Sequence, residues 1–226
     1  MGAAIEIDNL TKSFAKDGRR IDVLKGLNLT VAVGESLAVL GVSGAGKSTL
    51  IHILGTLDRP TSGSVFFDGL NVFEWEEKKL ARFRNSRIGF VFQFFNLLPE
   101  FTSMENTMMP ALVSGMSWSQ ARGRAEIILN EVGLGDRMDH KPGELSGGEQ
   151  QRVAVARSMI MEPEVLLADE PTGNLDRSTA ARIEDMLVDL SKNRKVTLIV
   201  VTHNKSLADR MSRSIGLSDG SIYAHK

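Results

Sequence analysis

The chain contains no cysteine among its 226 residues. That absence excludes a disulfide framework, a thiolate metal site and a cysteine nucleophile together, and it fits a reducing compartment such as the cytoplasm. Net charge is almost lacking as well: 27 Lys and Arg against 28 Asp and Glu leave a formal −1. No summed field gathers phosphate backbones, so DNA and RNA are not expected partners. Long apolar runs are missing too. The most apolar, residues 196–201, has the length of a strand, whereas a membrane-spanning helix needs about 20 residues. Residues 1–9 carry Glu6 and Asp8 and lack the basic start and apolar stretch of a secretory signal, so they read as a first strand. There is no internal repeat, low-complexity tract or long charge block, so subdivisions rest on changes of periodicity.

What is present is an ordinary globular composition, 42% hydrophobic and 24% charged, in a chain short enough for one core plus a satellite. Short apolar or β-branched runs at 5–7, 29–33, 36–40, 65–67, 88–92, 165–168, 196–201 and 215–217 are strand candidates. The later ones alternate with helical spacing at 47–57, 147–161, 179–191 and 206–212, the βαβ grammar of a parallel sheet covered on both faces. The early strands lack helices between them and suggest an antiparallel appendage. Residues 104–115 and 119–132 have helical spacing with no strand run near them. The expected architecture is α/β: one domain over 1–226, with a core and β subdomain from 1–92 and 160–226 and an inserted helical subdomain from 93–159.

Gly41-Val42-Ser43-Gly44-Ala45-Gly46-Lys47-Ser48 matches the P-loop pattern, after an apolar strand and at the start of an apolar helix. Its glycines let backbone N–H groups converge on phosphate oxygens, and the helix adds its partial positive end. Lys47 supplies a point charge for the β- and γ-phosphates, Ser48 a hydroxyl for Mg²⁺, and Thr49 completes the nucleotide-binding set. The metal also needs a carboxylate, and the apolar strand 165–168 runs into Asp169. Glu170, one residue further out, can polarise the water that attacks the γ-phosphorus and is the candidate general base. Together these residues predict an ATPase with an NTPase core.

Ser146-Gly147-Gly148-Glu149 repeats that design at the start of another helix. Ser146 and Glu149 also fit a capping box, which leaves the two glycines unexplained. One ATP in the P-loop leaves this second anion site without a ligand, unless a second copy presents it to the first copy's γ-phosphate. The pattern therefore points to a head-to-tail pair with nucleotide in its interface.

Over essentially its whole length the sequence resembles the nucleotide-binding subunits of ATP-binding-cassette transporters, and residues 145–149 are similar to that family's signature motif. The resemblance implies roles for further residues. Gln93 resembles the glutamine that contacts Mg²⁺ or the lytic water and senses the membrane partner. Asp176 resembles the aspartate of a loop crossing the pair interface, and also suits a helix N-cap. His203 resembles the switch histidine that reaches the γ-phosphate, and it stands at the carboxyl end of a strand, where ligands of parallel sheets collect. Phe14 resembles the aromatic that stacks on adenine, although the family more often has tyrosine and a core phenylalanine is the other reading. His52, His140 and His225 have no such context. Ala45, Asn204 in place of the usual aspartate, and Ser158-Met159 are departures that remove no required group.

Residues 93–106 are rich in apolar side chains for a loop outside a sheet. They suit the core of the helical insertion, or, with Met108, Met109 and Met116, a groove for a short helix of the membrane partner. That stretch and Pro110 resemble the lipoprotein-releasing and macrolide-exporter-like groups. The implied setting is a peripheral homodimer on the cytoplasmic face of the bacterial inner membrane, powering integral membrane transporter subunits. A macrolide-exporter-like efflux system or a regulatory cell-division-type partner is the alternative. The usual guanine specificity of a GTPase is excluded, because Asn204-Lys205-Ser206-Leu207 has leucine where a guanine reader needs an acid. A DNA-repair ATPase would need a long coiled-coil insertion or tandem cassettes. Lys78, Lys79, Arg82, Arg84 and Arg87 read as a solvated helix face.

Overall fold

The computed structural model describes residues 3–16 and 18–224. Met1 and Gly2, at the head of the expected first strand, lie outside that range, as does His225. In chain order the strands are β1 (Ala3–Lys16), β2 (Arg19–Ala32) and β3 (Ser36–Leu40), followed by helix α1 (Lys47–Leu54). Then come β4 (Ser62–Phe67), β5 (Leu70–Asn71), α2 (Glu77–Arg87) and β6 (Ile88–Val91). The helices α3 (Ser103–Val113), α4 (Trp118–Glu131) and α5 (Gly147–Met159) follow without an intervening strand. The chain closes with β7 (Val165–Asp169), α6 (Arg177–Arg194), β8 (Thr197–Thr202), α7 (Lys205–Ala208), β9 (Arg213–Ser218) and β10 (Ser221–Ala224).

Among the described residues the strands form two sheets. One is antiparallel in the order β2-β1-β4-β5, and the other runs β10-β9-β3-β8-β7-β6 with only the β9–β10 edge antiparallel. The central strands β3, β7 and β8 are buried on both faces, which is why they read as unbroken apolar runs. Their alternation still divides two hydrophobic layers. Leu37, Val39, Leu167 and Ile199 face α1 and the antiparallel sheet, where Ile5, Leu10 and Leu24 join them. Ala38, Leu40, Leu166 and Leu198 face the other way and share a cluster with Met108 and Leu129 of the helical segment and Leu187 of α6. The helical segment is thus packed on the sheet through the same apolar layer that α6 uses.

The structure differs from the expected elements in three places. The β1–β2 hairpin extends well beyond the two apolar runs at its base, from Ala3↔Ala32 to Lys16↔Arg19, because backbone pairing continues after burial has ended. The first residues of β2 are exposed and carry Arg19, Arg20 and Asp22, so no periodicity marks them. Helix α7 ends at Ala208, short of the expected 212. In residues 93–106 burial is divided: Met104 is core, whereas Phe94 is 70% exposed. Met108 is fully buried as well, so it packs the core and cannot line a docking groove. Asn106 holds the loop in shape, accepting from the Leu98 N–H at 2.8 Å and donating to the carbonyls of Leu98, Phe101 and Thr102.

The register aligns the carboxyl ends of the central strands, with Leu40 beside Thr202 and Asp169 beside Val201. The loops that leave these ends therefore meet in one place.

Candidate functional site

The loop between β3 and α1 closes on Gly46, whose φ of 99° is left-handed. A Cβ there would also lie 2.9 Å from the Leu24 side chain, so only glycine fits. Lys47 opens α1 and folds back: its Nζ donates to the Gly41 carbonyl at 2.8 Å and the Val42 carbonyl at 3.2 Å. It also lies 3.4 Å from Glu170 Oε1. The ammonium of a lysine only 8% exposed needs such partners. Every one of them is a group that a phosphate oxygen can replace.

Ser48 Oγ donates to Asp169 Oδ1 at 3.3 Å. Burial pushes the Asp169 carboxyl above the usual carboxylate range, and the Ser48 hydrogen bond only partly opposes this. A half-buried carboxylate beside a hydroxyl is a hard oxygen pair that a small divalent cation would complete, so these residues fit Mg²⁺. Among the described residues no cluster of three or more His, Cys, Asp or Glu forms a cation cage. Mg²⁺ does not require one, since it commonly takes one or two protein oxygens and fills the rest from substrate phosphates and water.

Glu170 follows Asp169 with a φ of 45°, a strained conformation for a non-glycine residue. Its N–H donates to the Val201 carbonyl at 2.9 Å, tying it to the neighbouring strand. Its Oε2 lies 2.9 Å from His203 Nδ1 and accepts the His203 N–H at 3.3 Å. Gln93 reaches the same region from the end of β6, locked by exchange with Asn174: Gln93 Nε2 donates to Asn174 Oδ1 at 3.1 Å, and Asn174 Nδ2 donates to the Gln93 carbonyl at 3.0 Å. The result is an open cleft of about 560 Å³ lined by Ser43, Gly44, Gly46, Lys47, Ser48, Thr49, Gln93, Glu170 and His203, with Val23 at its edge.

Other expected residues are not on that wall. Ala45 is buried in the core, and a Cβ on Gly41 would strike the Leu217 carbonyl at 2.4 Å, so a phosphate contact from either would be made by the backbone alone. Phe14 is 43% exposed on the hairpin with the Lys12 ammonium 4.8 Å from its ring centre, which removes the core reading.

Ser146 lies elsewhere. It caps α5 in a complete capping box, its Oγ donating to Glu149 Oε2 at 2.7 Å and accepting the Glu149 N–H at 3.3 Å. The Ser146 hydroxyl and backbone, with Arg137 behind them, hold the Glu149 carboxyl down at about 2. A Cβ on Gly148 would meet Thr179 Cγ2 at 2.4 Å, so α6 requires that glycine. Gly147 would meet only ordinary contacts, the nearest at 3.4 Å, and its φ is not left-handed. Nothing within the chain requires a glycine at 147. Ser146 and Gly148 line a separate cleft of about 200 Å³ that shares no residue with the first. Asp176 is the N-cap of α6, accepting from the N–H groups of Ser178 and Thr179 and from the Ser178 hydroxyl, which holds its carboxyl below the usual range.

Two polar residues near Glu170 escaped the sequence reading. Asn174 stands two residues before Asp176, but its partner is 81 positions away. Glu184 lies in the middle of a predicted helix, and its only signal was a charge among the positions that face inward.

Chemically, one ammonium, one strained carboxylate and one imidazole converge on a glycine-rich cradle, an arrangement suited to in-line attack on a terminal phosphate. Comparison with known proteins agrees. Residues 24–173 match the family model described as ABC transporter. The chain is 69% identical, over 96% of its length and 98% of the relative's, to the lipoprotein-releasing system ATP-binding protein LolD of Syntrophus aciditrophicus. It is 56% identical to the protein of the same name from Geobacter metallireducens, covering 99% of this chain and 100% of the other. Among solved structures it is similar to a dimeric structure of the bacterial ABC transporter cassette MJ0796, with a TM-score of 0.89, 40% identity and 96% of each chain covered. It is also similar to a dimeric post-hydrolysis state of that cassette bound to ADP and Pi, with a TM-score of 0.91, 38% identity, and 98% of this chain and 97% of the other covered.

Proposed function

The chain belongs to the ABC transporter family, and from that premise we propose that it is the ATP-hydrolysing subunit of a bacterial transporter that releases lipoproteins from the inner membrane. The observation that carries the hydrolytic assignment is Glu170, held between Lys47 and His203 at the edge where the central strands end. Glu170 is the general base that draws a proton from the attacking water, a role that contributes about 10²–10⁴-fold in rate. His203 orients that carboxylate and reaches toward the γ-phosphate. Lys47 exchanges the Gly41 and Val42 carbonyls for phosphate oxygens, joined by the backbone N–H groups of residues 43–49. Ser48, Asp169 and Gln93 would hold Mg²⁺, which when bound would neutralise phosphate charge. Phe14, exposed on the hairpin, offers its ring to adenine.

Ser146, Gly147 and Gly148 act across a pair of chains. This reading is supported by the separation of the two clefts and by the absence of any internal requirement for glycine at 147. A second copy would bring its Ser146 to the first copy's γ-phosphate and its Asp176 loop to the interface. ATP then closes the pair and hydrolysis releases it. We divide the working parts into the core and β subdomain of 1–92 and 160–226 and the helical subdomain of 93–159, since relative movement of these parts converts γ-phosphate contacts into a stroke.

Among the described residues no helix is long and apolar enough to cross a membrane. Attachment at the cytoplasmic face of the inner membrane would therefore come from integral membrane subunits. An apolar groove of about 490 Å³, lined by Phe90, Phe92, Asn96, Pro110, Val113 and Met161, suits a short helix from such a partner. The lipoprotein cargo is favoured by the relatives named for that system. Depleting the protein in its host, separating the two membranes and locating newly made lipoproteins tests it. Retention in the inner membrane is the expected result; normal sorting would move the cargo to an efflux or cell-division partner.

A further inference from the structure

Behind the Glu170–His203 contact lies a second polar cluster that none of the assigned roles uses. Its centre is Glu184 of α6, a carboxylate only 4% exposed. Oε1 of Glu184 accepts from Thr172 Oγ1 at 3.1 Å and from Asn204 Nδ2 at 2.9 Å. Its Oε2 faces Arg210 Nη1 at 3.9 Å, and Arg210 also pairs with Asp185 at 2.5 Å. Thr172 lies two positions after Glu170, and Asn204 directly follows His203. One buried carboxylate therefore ties the loop that carries the base to the loop that carries the histidine.

Position 204 is chemically restricted by this geometry. The Asn204 side chain performs two tasks with opposite ends: Oδ1 accepts the Ser206 N–H at 2.9 Å and caps α7, while Nδ2 donates to Glu184. An aspartate would keep the cap and lose the donor, placing a second carboxylate against the first. We propose that Glu184 is a positioning residue that sets the spacing of Glu170 and His203 through Thr172 and Asn204, and that an amide at 204 and a carboxylate at 184 form a matched pair. The inference rests on the ATPase reading above.

The charged and titratable groups that face the cluster are Arg210 behind it and Glu170, Arg177, His203 and Lys205 around the adjoining cleft. Two carboxylates in hydrogen-bond contact repel unless they share a proton. Asn204→Asp should therefore lower kcat by roughly ten- to a hundredfold near pH 8.5, with KM for ATP little changed, and the deficit should shrink as pH is lowered toward 6. Adding Glu184→Gln reverses the pair, amide at 184 and carboxylate at 204, and should restore kcat and the wild-type pH profile. Asn204→Ser, which keeps the cap without the amide, should lower kcat severalfold with no change in pH profile. These variants are compared by steady-state ATP hydrolysis with thermal unfolding alongside. Wild-type kcat in Asn204→Asp across the pH range, a deficit that Glu184→Gln does not relieve, or wild-type kcat in Asn204→Ser would overturn the pairing. A wild-type chain with no ATPase activity would instead remove the functional reading and this inference with it.

Discussion

The cradle after β3 and the cap before α5 use the same materials, glycines and a serine at a helix N-terminus, and differ in how far one chain satisfies them. In the cradle, the charged groups already have partners from three loops: Lys47 rests on the Gly41 and Val42 carbonyls and on Glu170, and Glu170 on His203. At the cap, Ser146 and Glu149 satisfy each other, Gly148 is taken up by Thr179, and Gly147 has no task. A site complete in its catalytic groups thus stands apart from one complete only as a helix cap. The contrast is the ground for the proposal that a second copy brings its cap to the first copy's cradle.

The sharpest way to break this comparison is at Ser146. Ser146→Arg should reduce hydrolysis to background while nucleotide still binds the isolated chain, as read by equilibrium binding of a fluorescent ATP analogue. Loss of binding in the isolated chain would show that the cap serves its own cradle. The two glycines give a finer test. Gly148→Ala should destabilise the fold by about 1–3 kcal/mol through the contact with Thr179. Gly147→Ala should stay within about 0.5 kcal/mol of wild type in a urea titration and still lose hydrolysis. Equal stability losses at both positions would make the pair merely structural.

The smallest effect concerns pH. Because the Glu149 carboxyl is held at about 2 against an ordinary 4.5, its ionised form stabilises the fold above pH 4.5, and that contribution disappears as pH falls toward 2. Glu149→Gln should flatten this part of the stability profile, measured by urea midpoints across the window. An unchanged slope would place the acid sensitivity in other groups.

The legibility of these regions follows from the range of their interactions. The cradle was readable because the P-loop pattern is contiguous in sequence, from Gly41 to Ser48, and β3, β7 and β8 announce themselves as apolar because both faces are covered. The outer half of the β1–β2 hairpin was not readable, since exposed residues such as Arg20 and Asp22 pair through backbone alone. Glu184 and Asn174 were invisible for another reason. Their roles depend on partners 20 and 81 positions distant, and a buried acid in a helix looks like any charge until the neighbouring loop is placed beside it. Met108 illustrates the reverse case, where composition permitted a groove and packing chose the core.

The central claim is that the cleft of one chain is closed by Ser146 of another. Sizing by light scattering of Glu170→Gln with ATP, and of the same variant carrying Ser146→Arg, tests it most directly. Blocking the base should hold the protein as an ATP-bound dimer, and the arginine should return it to a monomer that still binds ATP. A dimer indifferent to Ser146→Arg, or a monomer in both cases, would contradict the account.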